Sequence, residues 1–257
     1  MNEKGVSLKD KRGRAQVIAI PGSDYRAMRK PPFESLDQMA ETTAAGLVKA
    51  AAGSAFQLFR DKQFRLLADF EQLSQTEQDR IFNELVVASV VLIMLVLEAP
   101  DLRVAGEFRG YMADLKERIP KAHVDLLRGL GVEAKHRRDW EKLIAMRYEE
   151  YAMDRHDVRA AAMQLESSNK ALDLDDLSKI QMLVPVQAVA IGCHHHICRG
   201  KTEGRDELFK LTLRSLSRFY AEIRIPFEGG RITPFTRARV AVKRLLRRMR
   251  TGKRNEP

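Results

Sequence analysis

Hydrophobic positions recur at steps of three and four along most of the chain, and no segment shows the sustained two-residue alternation of a half-buried strand. Residues 34–73 place Leu47, Phe56, Phe59, Phe64, Leu67 and Phe70 on an alanine-rich background, a helical pattern divided near Gly53 or Asp61. Ser74 stands three residues before Glu77, the spacing of a capping box, and predicts the next helix start. The pair Ala99-Pro100 ends that helix, since a residue preceding proline avoids helical geometry. Asp101 is placed to cap a third helix that stops at Ile119 before Pro120, and a shorter one follows to Gly129-Leu130-Gly131.

Further on, residues 133–166 carry Trp140, Ile144, Tyr148, Tyr151, Val158, Ala162 and Leu165 on one stripe, interrupted by Arg155. Residues 174–198 form another helical pattern, kinked or split at Pro185 because proline supplies no amide hydrogen. Gly204-Arg205-Asp206 opens a helix running to Ile225, residues 226–230 break it, and Thr233-Pro234 has the cap-then-proline order of a new start. The fold expectation is therefore all-α. A multi-helix bundle spans residues 33–228, after a basic N-terminal arm at 1–32 and before a basic amphipathic C-terminal helix and tail at 229–257.

Within this frame, residues 85–97 read LVVASVVLIMLVL, thirteen positions with Ser89 the single polar one. About 20 apolar residues are needed to cross a bilayer, so the run predicts a buried core helix and no transmembrane segment. The basic N-terminus is followed only by the short apolar stretch at 17–20 before Pro21-Gly22, too little for a secretory signal. At 257 residues, with 44% hydrophobic and 31% charged side chains, the composition is that of a globular chain able to bury a core without staples. Two cysteines five positions apart on a helix would hold their Cα atoms roughly 8 to 9 Å apart, beyond disulfide reach. The reading is a reduced, cytoplasmic protein.

Charge changes the picture more than composition does. The net +10 is unevenly distributed, because residues 231–257 hold ten cations against Glu256 and the first thirty residues carry a balance of +5. Subtracting both ends leaves −4 for residues 31–230. In the C-terminal segment, Phe235, Ala238, Val242, Leu245 and Met249 follow steps of 3, 4, 3 and 4. Arg237, Arg239, Lys243, Arg244, Arg247, Arg248 and Arg250 cover most of the remaining circumference. Such a face neutralises phosphates and releases their counterions, and the arginine fork suits phosphate better than an ammonium does. Nucleic-acid backbone is the first expected partner and an anionic membrane surface the second, because tryptophan is absent from the apolar side.

A second candidate is GCHHHICRG at 192–200. On a helix His194 and Cys198 share one face and Cys193 and His196 another, so each pair offers two metal ligands and neither closes a site alone. The alternative function is thus a metal-binding or metal-dependent bundle through Cys193, His194, His196 and Cys198. The plainer reading makes Gly200 a helix terminator, with His196 and Arg199 complementing the helix dipole. Glu150, Asp154 and Asp157 share a face but sit among Arg147, Arg155 and Arg159, and Glu133 with His136 is a single copy of a motif that di-iron bundles use twice. With no glycine-rich phosphate loop and no catalytic triad to name, the expectation is a non-enzymatic polyanion binder requiring no cofactor.

Overall fold

A computed structural model describes residues 35–168 and 172–230. The N-terminal arm and the basic C-terminal segment, with all seven of its polyanion-binding candidates, lie outside the described residues. Seven α-helices and no strands form among those described: α1 (Leu36–Arg60), α2 (Lys62–Leu67), α3 (Gln75–Leu97), α4 (Arg109–Gly129), α5 (Ala134–Ser167), α6 (Leu174–Ile197) and α7 (Asp206–Phe227). The all-α expectation is met.

The centre of the bundle is α3. Ser74 caps it, its Oγ accepting from the Glu77 amide at 3.3 Å. The Glu77 carboxylate does not return to close the box and instead accepts from Arg80 and Arg199. From Glu84 to Leu97 every α3 side chain is buried. A helix apolar on all sides must be surrounded, and α1, α4, α5, α6 and α7 all pack on this one. Its length and hydropathy meet the requirement for a membrane span, and 83% of its most apolar window lies inside the bundle.

Small residues set the outer spacing. Ala40, Ala44, Ala51 and Ala55 make up half of the buried side of α1, beside Thr43, Leu47, Val48 and Leu58, and the helix rests on α4 and α3. The chain breaks at Asp61 rather than Gly53: Asp61 is extended, ends α1, and caps α2 by accepting from the Phe64 amide at 3.0 Å.

Two proline expectations are corrected. Pro120 lies inside an uninterrupted α4, and Pro185 inside an uninterrupted α6. Each proline removes one intrahelical bond, but the buried positions on either side, Leu115, Ile119 and Val124 in α4 and Val184, Val186 and Val189 in α6, hold both segments on the core, and neither helix is split. Asp101 does not cap a helix. Its carboxylate pairs with Arg224 at 2.8 Å, and α4 starts at Arg109 after a single 3-10 turn, Gly106–Phe108. The long stripe of α5 is also only partly used, because Ile144 and Tyr151 are fully buried whereas Leu165 is 68% exposed.

Helix ends follow local chemistry. Asp173 caps α6 by accepting from the Asp176 amide at 2.8 Å. The end of α6 is a Schellman arrangement in which Arg199 donates to the His196 carbonyl and Gly200 to that of His195, at 3.2 and 2.9 Å. Two left-handed residues end the helix, Arg199 with φ 51° and then the expected Gly200 with φ 76°.

Candidate functional site

The GCHHHICRG segment forms the last turn of α6 and its exit. Its side chains diverge as the helical spacing requires. Cys193 is fully enclosed beside Tyr151, and burial pushes its thiol up, as it does that of Cys198. His194 turns to the Phe209 ring, 5.5 Å between centroids, and burial lowers its basicity. His195 is exposed, and His196 meets Glu150 with Nε2 and Oε1 2.7 Å apart. The backbone carbonyls of His196 and Ile197 accept from the Arg80 guanidinium at 2.8 and 3.0 Å, which satisfies acceptors the helix end would leave open. Among the described residues no three His, Cys, Asp or Glu side chains are gathered as a metal set.

That His196–Glu150 contact is the outer end of a buried polar chain. Glu84 is 7% exposed, and its carboxylate takes both arms of Arg147, Nε at 3.1 Å and Nη2 at 2.9 Å. Arg147 Nη1 then reaches Glu150 at 3.2 Å. Three helices, α3, α5 and α6, are thus joined by Glu84, Arg147, Glu150 and His196. This commits Glu150 of the acidic face read from the sequence, and Arg147 with it. Beside the chain, the Tyr151 hydroxyl is buried with no hydrogen-bond partner.

Close approach of α5 to α6 depends on Gly192. A Cβ there would stand 2.2 Å from Tyr151 Cε1 and 2.6 Å from Cδ1, so the tyrosine ring occupies the space a side chain would need.

A second polar cluster was missed by pattern reading. Glu98 is the C-cap of α3, where a carboxylate meets the negative end of the helix dipole. It is held there by two donors to Oε2, Lys116 Nζ at 2.9 Å and the Tyr148 hydroxyl, and by the charge of Arg155, whose Nη2 lies 2.8 Å from Oε1. Burial pushes the Glu98 carboxyl up, but the hydrogen bonds of Tyr148 and Lys116 and the charges of Lys116 and Arg155 outweigh this and leave it below its usual range. Arg155, which interrupts the α5 stripe in the sequence, is explained by this acid. Next to the cluster lies a cavity of about 330 Å³, bounded by the end of α3, the second half of α5 and the middle of α6. Its polar lining is Glu98, Arg155, Arg159 and Gln181. The signal in the sequence was a lone glutamate closing an apolar run, which needs a partner but does not say which.

Further along the same α4–α5 interface His123, 2% exposed, packs against Trp140 with centroids 5.1 Å apart, and neither ring nitrogen has a hydrogen-bond partner. Burial lowers its pKa to about 4, so it is neutral at physiological pH.

Comparison with protein-family models, with curated proteins and with solved structures finds no match for this chain.

Proposed function

We propose that this protein is a non-enzymatic, cytoplasmic helical scaffold that docks on a polyanion, nucleic-acid backbone first, through Arg237, Arg239, Lys243, Arg244, Arg247, Arg248 and Arg250. The observation that carries the reading is charge segregation: ten cations against one acid at 231–257, beside a −4 balance over residues 31–230. Internal commitments in the bundle support it. Arg80, Arg109, Arg147, Arg155 and Arg224 are each held by carboxylates or backbone carbonyls of the chain. Cations used in this way contribute little to an external phosphate. The C-terminal segment has almost no acids of its own to consume its charge, and clustered charge acts on partners through its local potential.

The test is fluorescence anisotropy with a labelled duplex across a salt series, comparing the full chain with the triple variant Arg244→Gln, Arg247→Gln, Arg248→Gln. Each lost phosphate contact reduces the salt slope by about 0.9, so the variant should bind more weakly with a slope shallower by about 2 to 3. Identical affinity and slope would remove the proposal. Preference for anionic vesicles over duplex at equal salt would transfer the same face to a membrane surface.

A further inference from the structure

The cavity beside Glu98 has an uneven charge balance. Glu98 already accepts from Lys116 and Tyr148 and pairs by charge with Arg155, and Arg159 lines the same cavity. Arg159 is left over. It lines the cavity, forms no ion pair among the described residues, and its Nε is shut away from water without a hydrogen-bond partner. Arg155 and Arg159 are four apart on α5, so their stems rise from the same face of the helix. Two like charges one turn apart, only one of them neutralised, favour an added anion. With Nε enclosed, the Nη–H groups are what the guanidinium presents to an oxyanion, and their planar, charged geometry suits one.

The remaining lining is apolar but for Gln181, with Ala99, Pro100, Val184 and Pro185. A bare inorganic ion would leave that lining without contact, and the volume of about 330 Å³ is at the lower end of small-molecule sites. We propose that this cavity binds a small organic oxyanion, a carboxylate or a phosphate ester. Its head group lies on Arg159, with Arg155 adding charge, and its apolar part lies against Pro100, Val184 and Pro185. The site is independent of the polyanion face, because a nucleic-acid strand does not enter a cavity of this size between helices.

The experiment follows the arginine Nε–H signals of the ¹⁵N-labelled full chain during titration with benzoate, with phenyl phosphate and with neutral benzamide. The Arg159 signal should move saturably with one or both anions, and the responding anion identifies the head group. Arg159→Gln should weaken that binding about tenfold or more, the effect of losing a charged hydrogen bond. Arg159→Lys, which keeps the charge without the fork, should fall between. Val184→Phe, which fills the cavity and leaves every charge in place, should abolish binding while thermal unfolding confirms the fold. The triple variant Arg244→Gln, Arg247→Gln, Arg248→Gln should bind the small anions as the parent does, so failure here is distinct from failure of the polyanion proposal. An Arg159 signal that drifts linearly like that of the exposed Arg128, equal response to benzamide, or unchanged binding in Arg159→Gln would overturn the assignment.

Discussion

Replacing Gly192 by alanine tests the packing of α5 on α6 most directly. In a helix interior alanine is favoured over glycine by about 1 kcal/mol, so on propensity alone the variant should be more stable. The local geometry opposes this. The new Cβ would lie 2.2 and 2.6 Å from two carbons of the Tyr151 ring, against the 3.5–4.0 Å at which carbon atoms rest comfortably. The neighbour is a fully enclosed ring rather than the free end of a flexible chain, since Tyr151 is 0% exposed. Moving it disturbs Cys193 and the Glu84–Arg147 pair nearby. Overpacking of this kind costs about 1–3 kcal/mol, and more where neighbours cannot yield. Taking the upper end and subtracting the propensity gain leaves a net destabilisation of about 2 kcal/mol. Urea unfolding followed by circular dichroism measures this directly, and the thermal midpoint should drop by about 4–8 °C. A double-variant cycle adds the decisive comparison: with Tyr151→Ala as background, Gly192→Ala should become neutral or stabilising, a coupling of about 2–3 kcal/mol. A Gly192→Ala protein as stable as its parent, or additive effects of the two substitutions, would refute the reasoning.

Other expectations concern the buried polar groups. Glu84→Leu should destabilise by about 3 kcal/mol, the lower end for breaking a buried pair because Arg147 keeps Glu150; the double variant Glu84→Leu, Arg147→Met should recover most of the loss in a urea titration. For His123, the unfolded chain binds a proton near pH 6.5 and the folded chain only near about 4. The unfolded state therefore holds more protons between those values, and stability falls as pH falls through that window, by about 3 kcal/mol in total. Denaturation midpoints measured from pH 7 to 4 should show this slope, and His123→Leu should flatten it.

Much of the helical framework was legible. Ser74 and Glu77 marked the start of α3, and a thirteen-residue apolar run indicated a helix enclosed on every side. The pattern from residue 174 and Gly204-Arg205-Asp206 placed the starts of α6 and α7. Prolines misled because the rule for a single helix considers the lost amide alone. At Pro120 and Pro185 one missing bond is outweighed by the core contacts of the residues around it. Asp101 misled for a related reason: a cap and an ion pair compete for one carboxylate, and Arg224, 123 positions away, takes it and donates to the Asp101 carbonyl as well. Long-range pairing has no periodic trace. Arg155 could be seen to interrupt a stripe, but nothing local connects it to Glu98, and Gly192 in a helical pattern does not announce the tyrosine that fills its place. For GCHHHICRG the helical spacing correctly separated the two pairs, whereas their partners Glu150, Phe209 and Arg80 come from three other helices.

The central position of α3 also has a consequence for synthesis. Among the described residues only α1 and α2 are α-helices that precede it, while α4, α5, α6 and α7, which cover its remaining sides, follow it in the chain. At about 5–20 residues per second, the ribosome takes about 5–20 s to pass from the end of α3 to the end of α6. Throughout that interval the most apolar surface of the protein, already long enough to be taken for a membrane segment, is a nascent helix without most of its cover.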